Sequence, residues 1–277
     1  MIEPNFGEIQ LQQCINTEFT LWALQEHKVF ASAAVPTLHD EALLGWDSGF
    51  FFPWLPYGPL SSHMGCNFFL QYKLSTLIEG PRGKQYADWG TPYMRFQIPH
   101  ETKDNGHHLT DFHQYDALRD LARNNCKVYY ATNQVTTRNE LFALAGSQNL
   151  IANTPFLDVH DVTESHFYVT FTASSAHFLL HSDAKEVRRV SGEQLKKFVD
   201  TGELRTIAED NALVFEVLSK HLAEVKGGER FLMAYQTLDH SHQEPPELRS
   251  LQKFFLLRSL LSRFFNITMV RFWRMER

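Results

Sequence analysis

At 277 residues, with 43% hydrophobic content and 23 Phe, 9 Tyr and 5 Trp, the chain can bury a sizeable core, which excludes the disordered and low-complexity classes. Three cysteines, Cys14, Cys66 and Cys126, lie far apart with no Cys-x-x-Cys, which excludes a disulfide framework and a cysteine zinc site. The net charge of −6 is unevenly spread: Arg249 to Arg277 holds seven basic residues and one acid, a balance of +6 that leaves −12 on the rest.

The N-terminal MIEPNFGEIQ has neither the basic region nor the apolar run of a signal peptide, and no stretch approaches the ~20 apolar residues that cross a bilayer. A soluble cytoplasmic protein without membrane contact is expected. Residues 17–32 read as an amphipathic helix with Leu21, Leu24 and Phe30 on its apolar side and Thr17 as N-cap. Pro36 stops it, and a buried strand is expected from Asp47 through SGFFFPW. Pro53 to Gly65 is a loop carrying Trp54 and Tyr57, aromatics that either pin the loop down or stack on bases. The next strand is Asn67-Phe-Phe-Leu-Gln-Tyr-Lys-Leu-Ser75. EGPRGKQYADWG follows as a loop, and it is no phosphate-binding P-loop because no Ser or Thr follows Lys84.

TPYMRFQIP (91–99) predicts a third strand, and HETKDNGHH a polar break. Residues 110–124 predict a helix with Phe112, Tyr115, Leu118 and Leu121 on its buried stripe, leading into the strand KVYYAT. TTRNELFALAG predicts a helix with a Thr137/Glu140 capping box, closed by Gly146. HFYVTFTASSAHFLLHS predicts a hairpin turning at the two serines. His177 and His181 then lie on a strand, not on one helical face as zinc proteases require. The clustered His107, His108, His113, His240 and His242 read as solvated loops. Helices are expected from Ser191, near 208–225, near 229–238, and from about 247 to 265, separated by Gly227-Gly228 and Pro245-Pro246.

Gln71 and Lys73 sit two apart and so share one face of their strand. A buried ammonium without a partner costs roughly several kcal/mol or gives up its proton. An acid should therefore face Lys73, and Asp47 and Glu41 are the nearest candidates. Two carboxylates, an amide oxygen and a lysine suit a divalent metal and an activated water.

Glu41, Asp47 and Gln71-x-Lys73 together resemble the signature of the PD-(D/E)XK nuclease superfamily, in the Gln-x-Lys form of Mrr-like enzymes, over residues 17–132. The resemblance implies a restriction-endonuclease-like αβββαβ core, a mixed central sheet flanked by helices, and the order of predicted elements agrees with it. The division that follows is an α/β nuclease-like domain over 1–182 and a mainly helical C-terminal appendage over 183–277. It further implies metal-dependent phosphodiester hydrolysis of nucleic acid, DNA first, in a restriction or antiphage setting.

In that reading Asp47 anchors Mg²⁺ or Mn²⁺, and Gln71 and the Tyr72 carbonyl ligate it. Glu41 or its rival Glu18 adds a carboxylate, and Lys73 orients the water and steadies the phosphate. Gln114 is an auxiliary polar residue, and a homodimer or a partner protein is the implied assembly. Arg258, Arg263, Arg271 and Arg274 are the candidate nucleic-acid contacts; a solvated helix face is the alternative for them. Two other classes stay open: a catalytically weak or inactive nucleic-acid-binding subunit of a larger complex, and a small-molecule enzyme whose aromatic loop lines a pocket.

Overall fold

The computed structural model describes residues 1–27, 64–98, 110–163, 166–181, 185–201, 204–224, 227–240, 246–265 and 267–273. The centre is strand β1 (Gly65–Lys73), which carries the Gln-x-Lys pair. Its alternation splits two cores. Cys66, Phe68, Leu70 and Tyr72 pack with Leu11, Ile15 and Phe19 of helix α1 (Glu8–Trp22). Phe69 faces the other way, into a larger core. A strand buried on both faces reads as a near-continuous apolar run, and NFFLQYKLS does so except at its two polar positions.

α1 begins nine residues earlier than the spacing around Leu21 and Leu24 predicts. Gln10 reaches back to accept from the Gly7 N–H (3.1 Å), and the buried stripe is Leu11, Ile15 and Phe19 at i, i+4 and i+8. Leu21 and Leu24 are exposed, 37% and 46%. The last turn, Ala23–His27, is π-helical.

After β1 come β2 (Thr76–Ile78), the one-turn helix α2 (Tyr86–Trp89) and β3 (Tyr93–Gln97). Helix α3 (Thr110–Arg123) then returns the chain to β4 (Lys127–Thr132), which lies parallel to β1 with Gln71 level with Tyr130. Helix α4 (Arg138–Gly146) has its predicted capping box, Thr137 Oγ1 accepting from the Glu140 N–H at 3.3 Å. It ends on Gly146 with Ser147 as its C-cap, and the left-handed conformation falls on Gln148 (φ 54°). Short helix α5 (Leu150–Asn153) leads to β5 (Phe156–Asp158), antiparallel to β4.

The predicted hairpin forms as β6 (Tyr168–Phe171) and β7 (His177–His181), with Ser175 accepting from the Thr172 N–H in the turn. β8 (Lys185–Arg188) extends it. Four helices follow: α6 (Gly192–Thr201), α7 (Ile207–Glu224), α8 (Gly228–His240) and α9 (Pro246–Phe265). The described chain ends in a strand, β9 (Thr268–Trp273).

The architecture is mixed α/β with two sheets. One, in the order β5-β4-β1-β9, is mixed; the other, β2-β3-β6-β7-β8, is an antiparallel meander. Two sequence-based expectations change here. The strand near 91–99 does not join the Gln-x-Lys strand in one sheet. It pairs instead with β2 and β6 in the antiparallel sheet, with Met94 and Phe96 facing the larger core and Tyr93 buried on its other face. Nor is the C-terminal region a helical appendage, because β9 lies antiparallel to β1 with Asn67 level with Arg271. Thr268, Met269 and Val270 are buried, which a terminal helix with one apolar stripe could not achieve in that slot. Helices α3, α7 and α9 pack against one another and join residues of both sheets, so Phe69, Phe96, Leu118, Leu218, Leu257 and Phe265 belong to one core. No helix among the described residues is long and apolar enough to cross a membrane.

Candidate functional site

Two places along β1 carry chemistry, one at each end. At the C-terminal end, Gln71 is fully buried. Its Nε2 donates to the Tyr72 carbonyl (3.0 Å), and its Oε1 has no hydrogen-bond partner among the described residues. Leaving a buried acceptor unmade costs about 1–3 kcal/mol. Lys73 is half-buried and level with Thr132. Just beyond, Ser75 and Asn133 tie β1 to β4. The Ser75 N–H donates to Asn133 Oδ1 (2.7 Å), Asn133 Nδ2 donates back to the Ser75 carbonyl (3.0 Å), and the Ser75 and Thr132 hydroxyls meet at 2.6 Å. These bonds hold the strand ends together, so the Gln71–Lys73 pair sits on a stiff support.

Glu41 and Asp47 lie outside the described residues, as does the aromatic loop between Pro53 and His63. Glu18 does not reach this end. It is buried on the opposite side of β1, where its carboxylate accepts from the Leu150 and Ile151 N–H groups (2.9 and 3.1 Å) at the start of α5. Burial pushes the Glu18 carboxyl up, and those backbone bonds and Lys196 pull it back. Its task is capping, so it drops out as the rival for Glu41. The Tyr72 hydroxyl, also on that side, donates to Asn16 (2.8 Å). Gln114 lies in the first half of α3. Among the described residues no three His, Cys, Asp or Glu side chains group to hold a metal. The oxygen that fits a hard cation at this end is Gln71 Oε1.

At the N-terminal end of β1 the structure holds a cleft of about 410 Å³. Its floor is a wired cluster. Arg271 on β9 pairs with Asp210 in the first turns of α7 and donates to Asn67 Oδ1 (3.2 Å) and to the Arg205 carbonyl (2.6 Å). Asn67 Nδ2 donates to Asp210 (2.9 Å), and Arg205 Nη1 stands 3.8 Å from the other Asp210 oxygen. Arg205 is anchored through its backbone, exchanging two 2.9 Å hydrogen bonds with Gly65. Burial pushes the Asp210 carboxyl up and the Arg271 guanidinium down, and each pulls the other back toward its charged form. Lys127, at the start of β4, places its ammonium 5.2 Å from the centre of the Phe198 ring, and His160 sits exposed at the rim. Cys126 also lines the cleft. Burial pushes its thiol up to about 12, so it stays protonated at neutral pH and is no nucleophile.

The basic C-terminal residues divide. Arg258 and Arg271 are buried, 3% and 0% exposed, and burial lowers both guanidinium groups, so neither offers a surface to a phosphate backbone. Arg263 is exposed on α9, over the Phe231 and Phe264 rings (5.4 and 5.6 Å). Arg274 lies outside the described residues.

Sequence reasoning missed the Asp210 cluster because its members are 61 and 143 positions from their partners. A signal was available: Arg271 interrupts the apolar run ITMVRFW as Lys73 interrupts NFFLQYKLS. No protein family, no curated protein and no solved structure matches this chain.

Proposed function

We propose that the chain hydrolyses phosphodiester bonds in nucleic acid, DNA in the first instance, with Mg²⁺ or Mn²⁺ at the C-terminal end of β1. The observation that carries this reading is the buried Gln71 Oε1, without a partner among the described residues, two positions from Lys73 on the same strand face. A buried neutral oxygen in that state is suited to a cation ligand, and its unmet acceptor is a reason for the residue to be there. Support also comes from the parallel pairing of β1 with β4, the strand that follows α3, although β2 and β3 between them lie in the other sheet.

In this mechanism Asp47 and Glu41 supply the carboxylates and Gln71 the neutral ligand. The metal, when bound, lowers the pKa of its water and neutralises charge on the phosphate. Lys73 holds the attacking water by hydrogen bond and stabilises the oxygens on which charge develops. The Ser75–Asn133 ties keep Lys73 in place while it does so.

The second reading, a catalytically silent nucleic-acid-binding subunit, is favoured by one observation: Gln71 is 0% exposed, so its amide does not face solvent.

Incubating the protein with plasmid, linear duplex and single-stranded DNA in Mg²⁺ or Mn²⁺ separates the two. Cleavage is expected, and Lys73→Ala and Asp47→Ala should each lower it by roughly 10²-fold or more. Binding without cleavage in either metal selects the silent subunit; cleavage that survives both substitutions places the site elsewhere.

A further inference from the structure

We infer that the cleft at the N-terminal end of β1 is a binding site for a phosphate monoester of mononucleotide size. It lies six residues along the strand from Lys73, about 20 Å, and stands whether or not the other end cuts a phosphodiester. Three features argue for it.

The first is charge. Lys127 and Arg205 line the opening, and Arg271 lies directly beneath, against the single carboxylate of Asp210. The exposed Glu209 carboxylate also acts on Arg205 and Arg271, so the balance is one positive charge at a concave surface, where low-dielectric walls focus the field on an anion. Asp210 does not repel the ligand. It is held between two guanidinium groups and the Asn67 amide, and its task is to keep Arg205 and Arg271 in position.

The second is preorganisation. The Arg205 backbone is fixed to Gly65 by two hydrogen bonds and its carbonyl accepts from Arg271. These bonds fix the Arg205 backbone, and Asp210 at 3.8 Å biases its guanidinium toward the cleft, so part of the ordering cost is already met when Arg205 takes a bidentate grip on a phosphate.

The third is size and wall chemistry. A volume of about 410 Å³ lies within the range of small-molecule sites, roughly 300–1,000 Å³. Phe198 is the partly exposed apolar residue of the lining, with Lys127 over its ring, whereas Phe69 and Val214 are each 1% exposed and form only the base of that wall. An inorganic anion would fill only the cationic part.

The source of the phosphate is either a free nucleotide or the 5′ end of a nucleic-acid strand. Calorimetric titration of the full chain, with EDTA present so that no metal chemistry intervenes, tests the site with four probes: 5′-AMP, adenosine, inorganic phosphate and a 5′-phosphorylated dodecanucleotide. AMP should bind at one saturable site and phosphate more weakly, while adenosine should not bind. Lys127→Gln and Arg205→Gln should each weaken AMP by at least about tenfold, with Lys127→Arg within about threefold of the parent. Binding should fall as salt is raised. Lys127 is half-exposed, so Lys127→Gln keeps the experiment decisive even if Arg205→Gln destabilises the fold. A dodecanucleotide that binds tighter than AMP and loses that advantage in Lys127→Gln identifies the strand end as the source; equal or weaker binding, or an advantage that survives Lys127→Gln, identifies the free nucleotide. No saturable binding of AMP or phosphate, or affinity unchanged in Lys127→Gln, overturns the proposal.

Discussion

Arg271 poses the problem that Lys73 poses from sequence, a charge in an apolar run, and here the solution, Asp210, is on view. The two side chains are 0% and 6% exposed and satisfy one another with help from Asn67 and Arg205. Breaking one partner of a buried pair leaves the other uncompensated, at about 3–5 kcal/mol. Asp210→Ala should therefore lower stability by that amount in urea unfolding, whereas Asp210→Asn should cost less because Asn still accepts from Arg271. A second residue-scale cluster sets the pH dependence. His221 Nε2 lies 3.0 Å from Asp120, which also pairs with Lys220. Burial lowers His221, and Asp120 opposes that only in part. Burial lowers His181 as well. An imidazole held below its unfolded value binds fewer protons in the native state, so stability is present above about pH 6.5 and is lost as pH falls. Asp120 is pushed up by burial, yet the Lys220 and His221 bonds together bring it below its ordinary value. Its contribution is present above about pH 3.9 and is lost as pH falls further. The transition temperature should drop between roughly pH 7 and pH 5.5, and His221→Gln should flatten that slope.

At the scale of elements, caps and stripes account for most boundaries. The Thr137/Glu140 box is local and was readable from four consecutive residues, and its removal by Thr137→Ala should cost about 1 kcal/mol. The start of α1 was not readable in the same way. Two successive apolar spacings exist, Leu11-Ile15-Phe19 and Leu21-Leu24, and only contact with β1 selects the first. Glu18 belongs to the same lesson. A glutamate in a helix near the motif could serve the metal or another helix, and α5, too short to announce itself, claims it through two backbone N–H groups. Glu18→Ala should therefore destabilise the fold by roughly 1–3 kcal/mol and leave the metal dependence of cleavage unaltered.

For the whole molecule, the two sheets and helices α3, α7 and α9 share one core, and the last strand is the edge neighbour of the motif strand. Removing residues 266–277 would strip β1 of one edge and expose Phe69, Phe264 and Phe265, so the truncated chain should lose cooperative unfolding. The full chain should unfold in a single transition seen alike by far-ultraviolet dichroism and tryptophan fluorescence. Two separated transitions would mean that residues beyond 183 fold as a unit of their own.

The sequence by itself determined what depends on neighbours a few positions apart: the helix of 110–123, the three helices after 207, the hairpin of 168–181 and the two-sided burial of β1. It also determined that Gln71 and Lys73 share a face, because alternation along a strand needs no partner to be known. Tertiary structure alone decided which strands lie beside β1, since β9 comes from 195 or more positions away and a sheet edge is filled by whichever apolar strand fits its register. It decided that Arg258 and Arg271 are internal where composition had counted them as surface charge. It assembled the Asn67–Arg205–Asp210–Arg271 cluster as well, because a buried charge fixes that a partner must exist but not where in the chain that partner lies.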